Sequence, residues 1–351
     1  MKTRNHFRLI AEGHPSAGKW VFLLRPFLSL GAFIYRIGLS VHRSLYQFGI
    51  LKQRSFELPV ISVGNVVWGG AGKTPLVEHI ARFYLNRAKT PLILARGYGE
   101  DESKELARKL PEAKFGIGKD RFAAGREALH SGPADVIVLD DGFQHWPLAR
   151  NLDIVVINVL NPFGNSSLIP RGILREPIAS LKRASMIVLN DVNLKPRQEL
   201  DQLKKTIRQI VGSEIPFVEA YHEPLYFYRP YSRERLAPER LEGERVTSFS
   251  GIGMPRSFQM LLNQIGLRTA RNFEFCDHHM YTEQELKEIR AMKELSESEE
   301  IVTTEKDFFR CEELMNKIFR PLVLKVRLRF TGGEDVLARK LDELVQNGKV
   351  S

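Results

Sequence analysis

At 351 residues, 43% hydrophobic and 27% charged, the chain can bury two α/β cores and is too apolar for a disordered polymer. Its two cysteines, Cys276 and Cys311, exclude a disulfide framework and lack metal-ligand spacing, as expected of a reducing compartment. The net charge of +10 is uneven, because residues 1–60 carry nine Lys or Arg against only Glu12 and Glu57.

A positive excess set beside apolar sequence points to an anionic surface, and the apolar content favours a membrane over nucleic acid. A spanning helix needs roughly 18 to 20 uninterrupted apolar residues. The best stretch, Phe27 to Tyr35, is ended by Arg36, and Arg25 with Pro26 interrupts any signal-peptide core. The chain is therefore expected on the cytoplasmic side of a membrane.

The first predicted element is a helix opened by Pro26, with Phe27, Leu30, Ile34, Ile37, Val41 and Leu45 recurring at three- and four-residue steps. Trp20, Phe22 and Tyr35 are its candidate interface anchors. By pattern alone a helix packed on the domain core is the commoner case, and both readings stand at this point.

Pro59 to Val63 reads as a buried strand, followed by a glycine-rich loop and a helical pattern through Val77, Ile80, Ala81 and Tyr84. Further strands are expected over 91–95, 134–139, 153–157 and 185–189. Continuous apolar strands separated by helical patterns predict a parallel sheet covered on both faces, with ligands at the carboxyl ends of the strands. Residues 226–244, aromatic and then crowded with charge, read as a linker. Strand patterns at 245–250, 300–304 and 321–326 outline a smaller α/β unit. The expected organisation is a basic segment 1–55, a nucleotide domain 56–225, the linker, and a C-terminal domain 245–351.

Val67-Trp68-Gly69-Gly70-Ala71-Gly72-Lys73-Thr74 fits the GxxxxGK[ST] phosphate loop except at Val67, which replaces the first glycine. The glycines let backbone N–H groups converge on phosphate oxygens, and the next helix adds its positive end. Lys73 would reach the β- and γ-phosphates of ATP, and the Thr74 hydroxyl would face Mg²⁺. Val136 to Asp141 supplies the companion acid after a strand, with Asp140 as the expected Mg²⁺ partner. The Asn-Lys-x-Asp guanine motif of a GTPase switch is absent, for Thr304-Glu305-Lys306-Asp307 matches only its end.

Two blocks, Asp140-Asp141-Gly142-Phe143-Gln144-His145 and Gly64 through Pro75, make the sequence resemble the tetraacyldisaccharide 4′-kinase family of lipid A biosynthesis. Ala95 to Gly99, Gly118 to Arg121, Asn161 to Gly164, Leu174-Arg175-Glu176-Pro177, Phe249 to Ile252, Asp277-His278-His279 and Thr304 to Asp307 follow in family order. The resemblance implies a P-loop enzyme with a smaller C-terminal α/β domain. It would transfer the γ-phosphate of ATP to the 4′-hydroxyl of a tetraacyl disaccharide 1-phosphate, giving lipid IVA. A monomer, without nucleic acid, would work at the cytoplasmic face of the bacterial inner membrane, with the N-terminal helix as the lipid contact.

For the site residues, the resemblance implies Asp101 as the base and His278 as its partner, with Lys73 on the phosphates. Glu102 and Glu176 would be additional metal-side acids, and Arg121, Asp141, Gln144, His145 and Arg171 would face the acceptor. Read without the resemblance, Glu100, Asp101 and Glu102 are simply the acids of a helix's first turn.

Overall fold

In a computed structural model of the chain, residues 20–97, 100–212, 214–230, 232 and 234–347 are described. They form two compact units, one of the residues up to Tyr221 together with those from Phe330 onward, the other of His222–Arg329.

The first unit runs α1 (Trp20–Gln47), β1 (Val60–Gly64), α2 (Lys73–Leu85), β2 (Pro91–Ala95), α3 (Glu100–Lys109), β3 (Lys114–Ile117), α4 (Arg121–His130), β4 (Val136–Asp140), β5 (Leu152–Asn158), β6 (Met186–Asn190) and α5 (Arg197–Val211). The chain then leaves it within β7 (Phe217–Tyr228). The strand order is β7-β6-β5-β1-β4-β2-β3, and every pairing along it is parallel. All five residues of β1, β2, β4 and β6 are buried, which is why their apolar runs are continuous and not alternating. β1 lies between β4 and β5, so the loop after Gly64 opens at the carboxyl edge of the sheet's middle, beside Asp140, the register partner of Val63.

The second unit continues with β8 (Arg235–Leu236), β9 (Arg245–Ser250), α6 (Pro255–Gln264), β10 (Arg268–Glu274), α7 (Glu283–Leu295), β11 (Glu300–Thr304), α8 (Glu305–Arg310), α9 (Glu312–Ile318) and β12 (Leu322–Gly332), the last leading back into the first unit and α10 (Glu334–Asn347). Its strands follow the order β10-β9-β11-β12, with β7 beside β12.

The boundaries differ from those expected. The expected linker at 226–244 falls within the second unit: 226–228 finish β7, 235–236 form β8 antiparallel to it, and Leu241 is buried in that unit's core. The C-terminal helix belongs to the first unit, because α10 turns Leu337 and Leu341 inward. There the Tyr84 hydroxyl of α2 donates to the Leu341 carbonyl at 2.8 Å, and Phe330 packs on His79 with ring centroids 4.6 Å apart.

α1 is longer than the pattern from Pro26 predicts, with that proline inside it. Its apolar row does not enter the core: Phe27 is 74% exposed, Leu30 59%, Ile34 61% and Val41 54%. Tyr35 is the exception among the candidate anchors. Its hydroxyl donates inward to the main-chain carbonyl of Arg175 at 2.9 Å. The side chains of Trp20 and Phe22 lie outside the described residues. No described helix is long and apolar enough to cross a membrane.

Candidate active site

The phosphate loop is shaped by glycines at two points where a side chain is disfavoured. Gly72 caps α2 in the left-handed region at φ +88°, and Gly69 stands at φ +113°. Two buried amides hold the loop's carbonyls away from the cradle. Asn65 donates to the Gly69 carbonyl at 3.3 Å, and Asn190, at the end of β6, donates to that of Ala71 at 3.2 Å. Val67, standing where a glycine was expected, is 7% exposed and bridges antiparallel to Leu174. Its side chain thus packs in the core and needs no glycine. Trp68 is 63% exposed at the lip.

The turn after β4 closes on this loop. A Cβ at Gly64 would sit 2.5 Å from the Cβ of Phe143, so only glycine lets the two segments approach. Asp141 holds a left-handed backbone, φ +49°, which aims its carboxylate back at the loop. Lys73 Nζ lies 3.4 Å from Asp141 Oδ1. Arg175 donates to both carboxylate oxygens, at 2.8 and 3.0 Å, and the buried Arg121 donates to the Asp141 carbonyl at 3.2 Å. Burial pushes the Asp141 carboxyl up, but the opposing charges of Lys73, Arg175 and Arg121 win, holding it well below the carboxylate range. Asp141 is therefore ionised throughout the physiological range and a poor proton acceptor.

The neighbouring acceptor-side residues converge here too. Gln144 donates to the Asn65 carbonyl at 2.9 Å. His145 is pushed down to about 4, by burial first and then by Arg121 and Arg150, so its ring is neutral at pH 7. Arg121 is drawn inward from α4, while its neighbour Asp120 caps that helix and pairs with Arg54 at 2.7 Å. Arg121 Nε, Gln144 Oε1 and His145 Nε2 are buried without a hydrogen-bond partner among the described residues, which is what groups completed by a polar ligand look like.

Two expected positions do not gather here as foreseen. Arg171 is exposed, and its main-chain carbonyl accepts from Asn165 at 2.9 Å. The arginine that reaches the site is Arg175, four positions later, placed by an N–H to the Val66 carbonyl at 2.8 Å. Glu176 is 4% exposed with both oxygens gripped by Arg183, at 2.7 and 3.2 Å. The pair ties Glu176 to the turn at residues 178–183. Arg183 also stacks over Phe143 and Trp146, a role that sequence pattern did not suggest.

Magnesium and ATP fit the donors present. Thr74 offers a hydroxyl and Asp140, 8% exposed at the end of β4, a carboxylate, both hard oxygen donors. Among the described residues no three His, Cys, Asp or Glu side chains form a metal cluster. Asp101 and Glu102 fall in the first turn of α3, and their side chains lie outside the described residues.

In the second unit, His278 is exposed and strained at φ +58°, its N–H donating to the Gly251 carbonyl at 3.1 Å. His279 is half-buried, paired with Glu285 at 2.9 Å and stacked on Phe275. The loop rests on an ion pair that sequence reading passed over. Asp307 and Arg310, both fully buried side chains, lie 3.0 Å apart. Asp307 accepts from the Gly251 N–H and the Tyr281 hydroxyl, each at 2.9 Å, and from Thr304 at 2.7 Å. Arg310 donates to the Gly251 carbonyl at 3.2 Å and to that of His279 at 3.5 Å.

Residues 21–346 match the family model described as tetraacyldisaccharide-1-P 4′-kinase, LpxK. A tetraacyldisaccharide 4′-kinase from Anaeromyxobacter sp. (strain Fw109-5) is 35% identical over 96% of both chains. A probable mitochondrial tetraacyldisaccharide 4′-kinase from Arabidopsis thaliana is 35% identical over 88% of this chain and 87% of its own. Among solved structures, LpxK from Aquifex aeolicus in complex with ATP superposes with a TM-score of 0.66 at 26% identity, covering 92% of this chain and 99% of that one.

Proposed function

The chain belongs to the tetraacyldisaccharide-1-phosphate 4′-kinase family, and from that premise we propose how its residues serve the reaction. It is an ATP-dependent phosphotransferase that moves the γ-phosphate to the 4′-hydroxyl of a tetraacyl disaccharide 1-phosphate, the step that forms lipid IVA in lipid A biosynthesis. The observation that carries the residue-level reading is the cluster of Lys73, Arg121 and Arg175 around the ionised Asp141, at the mouth of the phosphate loop.

The loop's N–H groups and the N-terminal end of α2 receive the phosphates, and Lys73 bridges toward the γ-phosphate. Thr74 and Asp140 would hold Mg²⁺, which when bound neutralises charge on the transferring phosphoryl oxygens. Asp141, too weakly basic to take a proton, fixes Lys73 and Arg175 electrostatically. As the base for the 4′-hydroxyl we propose Asp101, as the family resemblance implies. His278 is proposed as a second group required for transfer. Arg121, Gln144 and His145 face the acceptor, where a guanidinium suits a phosphate.

The acceptor stays in the bilayer, and the exposed apolar row of α1, joined to the basic N-terminal sequence, suits a lipid surface. We place the enzyme peripherally at the cytoplasmic face of the inner membrane. In purified form it should consume ATP only when the lipid disaccharide is supplied. Asp101→Ala and His278→Ala should keep ATP binding and lose that consumption. Equal ATP turnover with and without the lipid would remove the kinase reading in favour of a free-standing ATPase.

A further inference from the structure

α1 has two working faces. Phe27, Leu30, Ile34, Ile37 and Val41 point to water, while Tyr35 turns to the site and donates to the Arg175 carbonyl at 2.9 Å. One turn earlier, on the same side, Gly31 packs so tightly on Pro170 that a Cβ there would lie 3.0 Å from the proline Cγ. The helix therefore grips the 170–175 segment at two points. That segment also lines the phosphate loop, through Trp68 N–H to the Ile173 carbonyl at 2.6 Å and Arg175 N–H to the Val66 carbonyl at 2.8 Å. Its Arg175 guanidinium clamps Asp141, which in turn holds Lys73. Burial raises the Tyr35 hydroxyl, outweighing the opposing charge of Arg175, so it stays protonated and able to donate.

We propose that Tyr35 is a positioning residue through which α1, seated on a lipid surface, sets Arg175 and the Asp141–Lys73 pair for phosphoryl transfer. The inference rests on the kinase reading above, with α1 as the lipid contact. Seating of the helix then tunes the chemical step itself, beyond delivering the enzyme to its substrate. Because one main-chain acceptor is involved, the expected effect is a moderate change in kcat with little change in lipid KM.

Tyr35→Phe leaves the exposed row intact, so its binding to phosphatidylglycerol–phosphatidylethanolamine vesicles should match the parent chain. Its kcat should fall about three- to tenfold, the worth of one hydrogen bond. In an Arg175→Ala background the same change should cost nothing further, since the residue it acts through is gone. Gly31→Leu, which would lever the helix off Pro170, should show the same loss of effect in that background. Equal fold-losses in both backgrounds, or a change confined to vesicle binding and lipid KM, would overturn the coupling. A parent chain that labels no lipid would overturn the kinase reading beneath it, a result distinct from an active parent with additive losses.

Discussion

Lys73→Ala should lower kcat on the order of a hundred- to a thousandfold, the range seen when a preorganised charge at a transition state is removed. The ammonium sits 3.4 Å from Asp141 at the start of α2, where it can move from that carboxylate onto the developing charge of the γ-phosphoryl group. Folding should be spared, because Arg175 still satisfies both oxygens of Asp141 in the variant. The same geometry separates two arginines. Arg175→Ala should cost roughly ten- to a hundredfold, as one charge-assisted clamp is lost, whereas Arg171→Ala, which removes an exposed side chain, should stay near the parent rate. Steady-state kinetics with urea melts on all three variants would check this. A Lys73→Ala enzyme within fivefold of the parent, or an Arg171→Ala defect larger than that of Arg175→Ala, would contradict the arrangement described.

Arg310→Met should destabilise the second unit by about 3–5 kcal/mol, the usual consequence of stranding one member of a buried ion pair. Both side chains are fully buried, so water cannot solvate the Asp307 carboxylate once its partner is gone. Asp307 would still hold the Gly251 N–H, Tyr281 and Thr304, but as an uncompensated charge. The Asp277-His278-His279 loop would lose the guanidinium that ties the Gly251 and His279 carbonyls. Urea unfolding followed by tryptophan-independent circular dichroism measures the loss, and activity extrapolated to the folded fraction reports on His278. A change within 1 kcal/mol would mean that the pair is not the anchor of that loop.

The covered strands were legible because burial on both faces leaves a continuous apolar run, as in β1, β2, β4 and β6. The edge strands were not. β3 is Lys-Phe-Gly-Ile, and none of the seven residues of β10 is buried, so neither presents such a run. β7 carries Pro224 and a row of aromatics, which reads as a junction until its neighbours are known. In the candidate site, local motif spacing singles out Lys73, Thr74 and Asp140, while Asp141 comes only with the resemblance; the structure brings Lys73 and Asp141 within 3.4 Å. In the sequence Arg175 stands only within a family block, and the resemblance points to Arg171 instead. Which arginine turns inward depends on the Val66 and Val67 pairing with residues 174 and 175, over a hundred positions away. Asp307 likewise stands only within a family block and Arg310 in none, since their partners Gly251 and Tyr281 come from other segments.

The apolar row of α1 shows where periodicity stops. A helical stripe is the same whether it meets a core or a lipid surface, and only its exposure, 74% at Phe27 and 61% at Ile34, separates the two. Tyr35 was expected among the surface anchors and instead joins the helix to the phosphate loop's neighbour.

The most direct measurement is the fate of the labelled phosphate. The purified chain, Mg²⁺, ATP labelled at the γ-position and tetraacyl disaccharide 1-phosphate are combined in mixed micelles, and the lipid product is separated and its phosphate positions determined. The account predicts a bisphosphorylated lipid with the label at the 4′ position only. Bound ATP with unlabelled lipid, or label on any other position of the disaccharide, would contradict it.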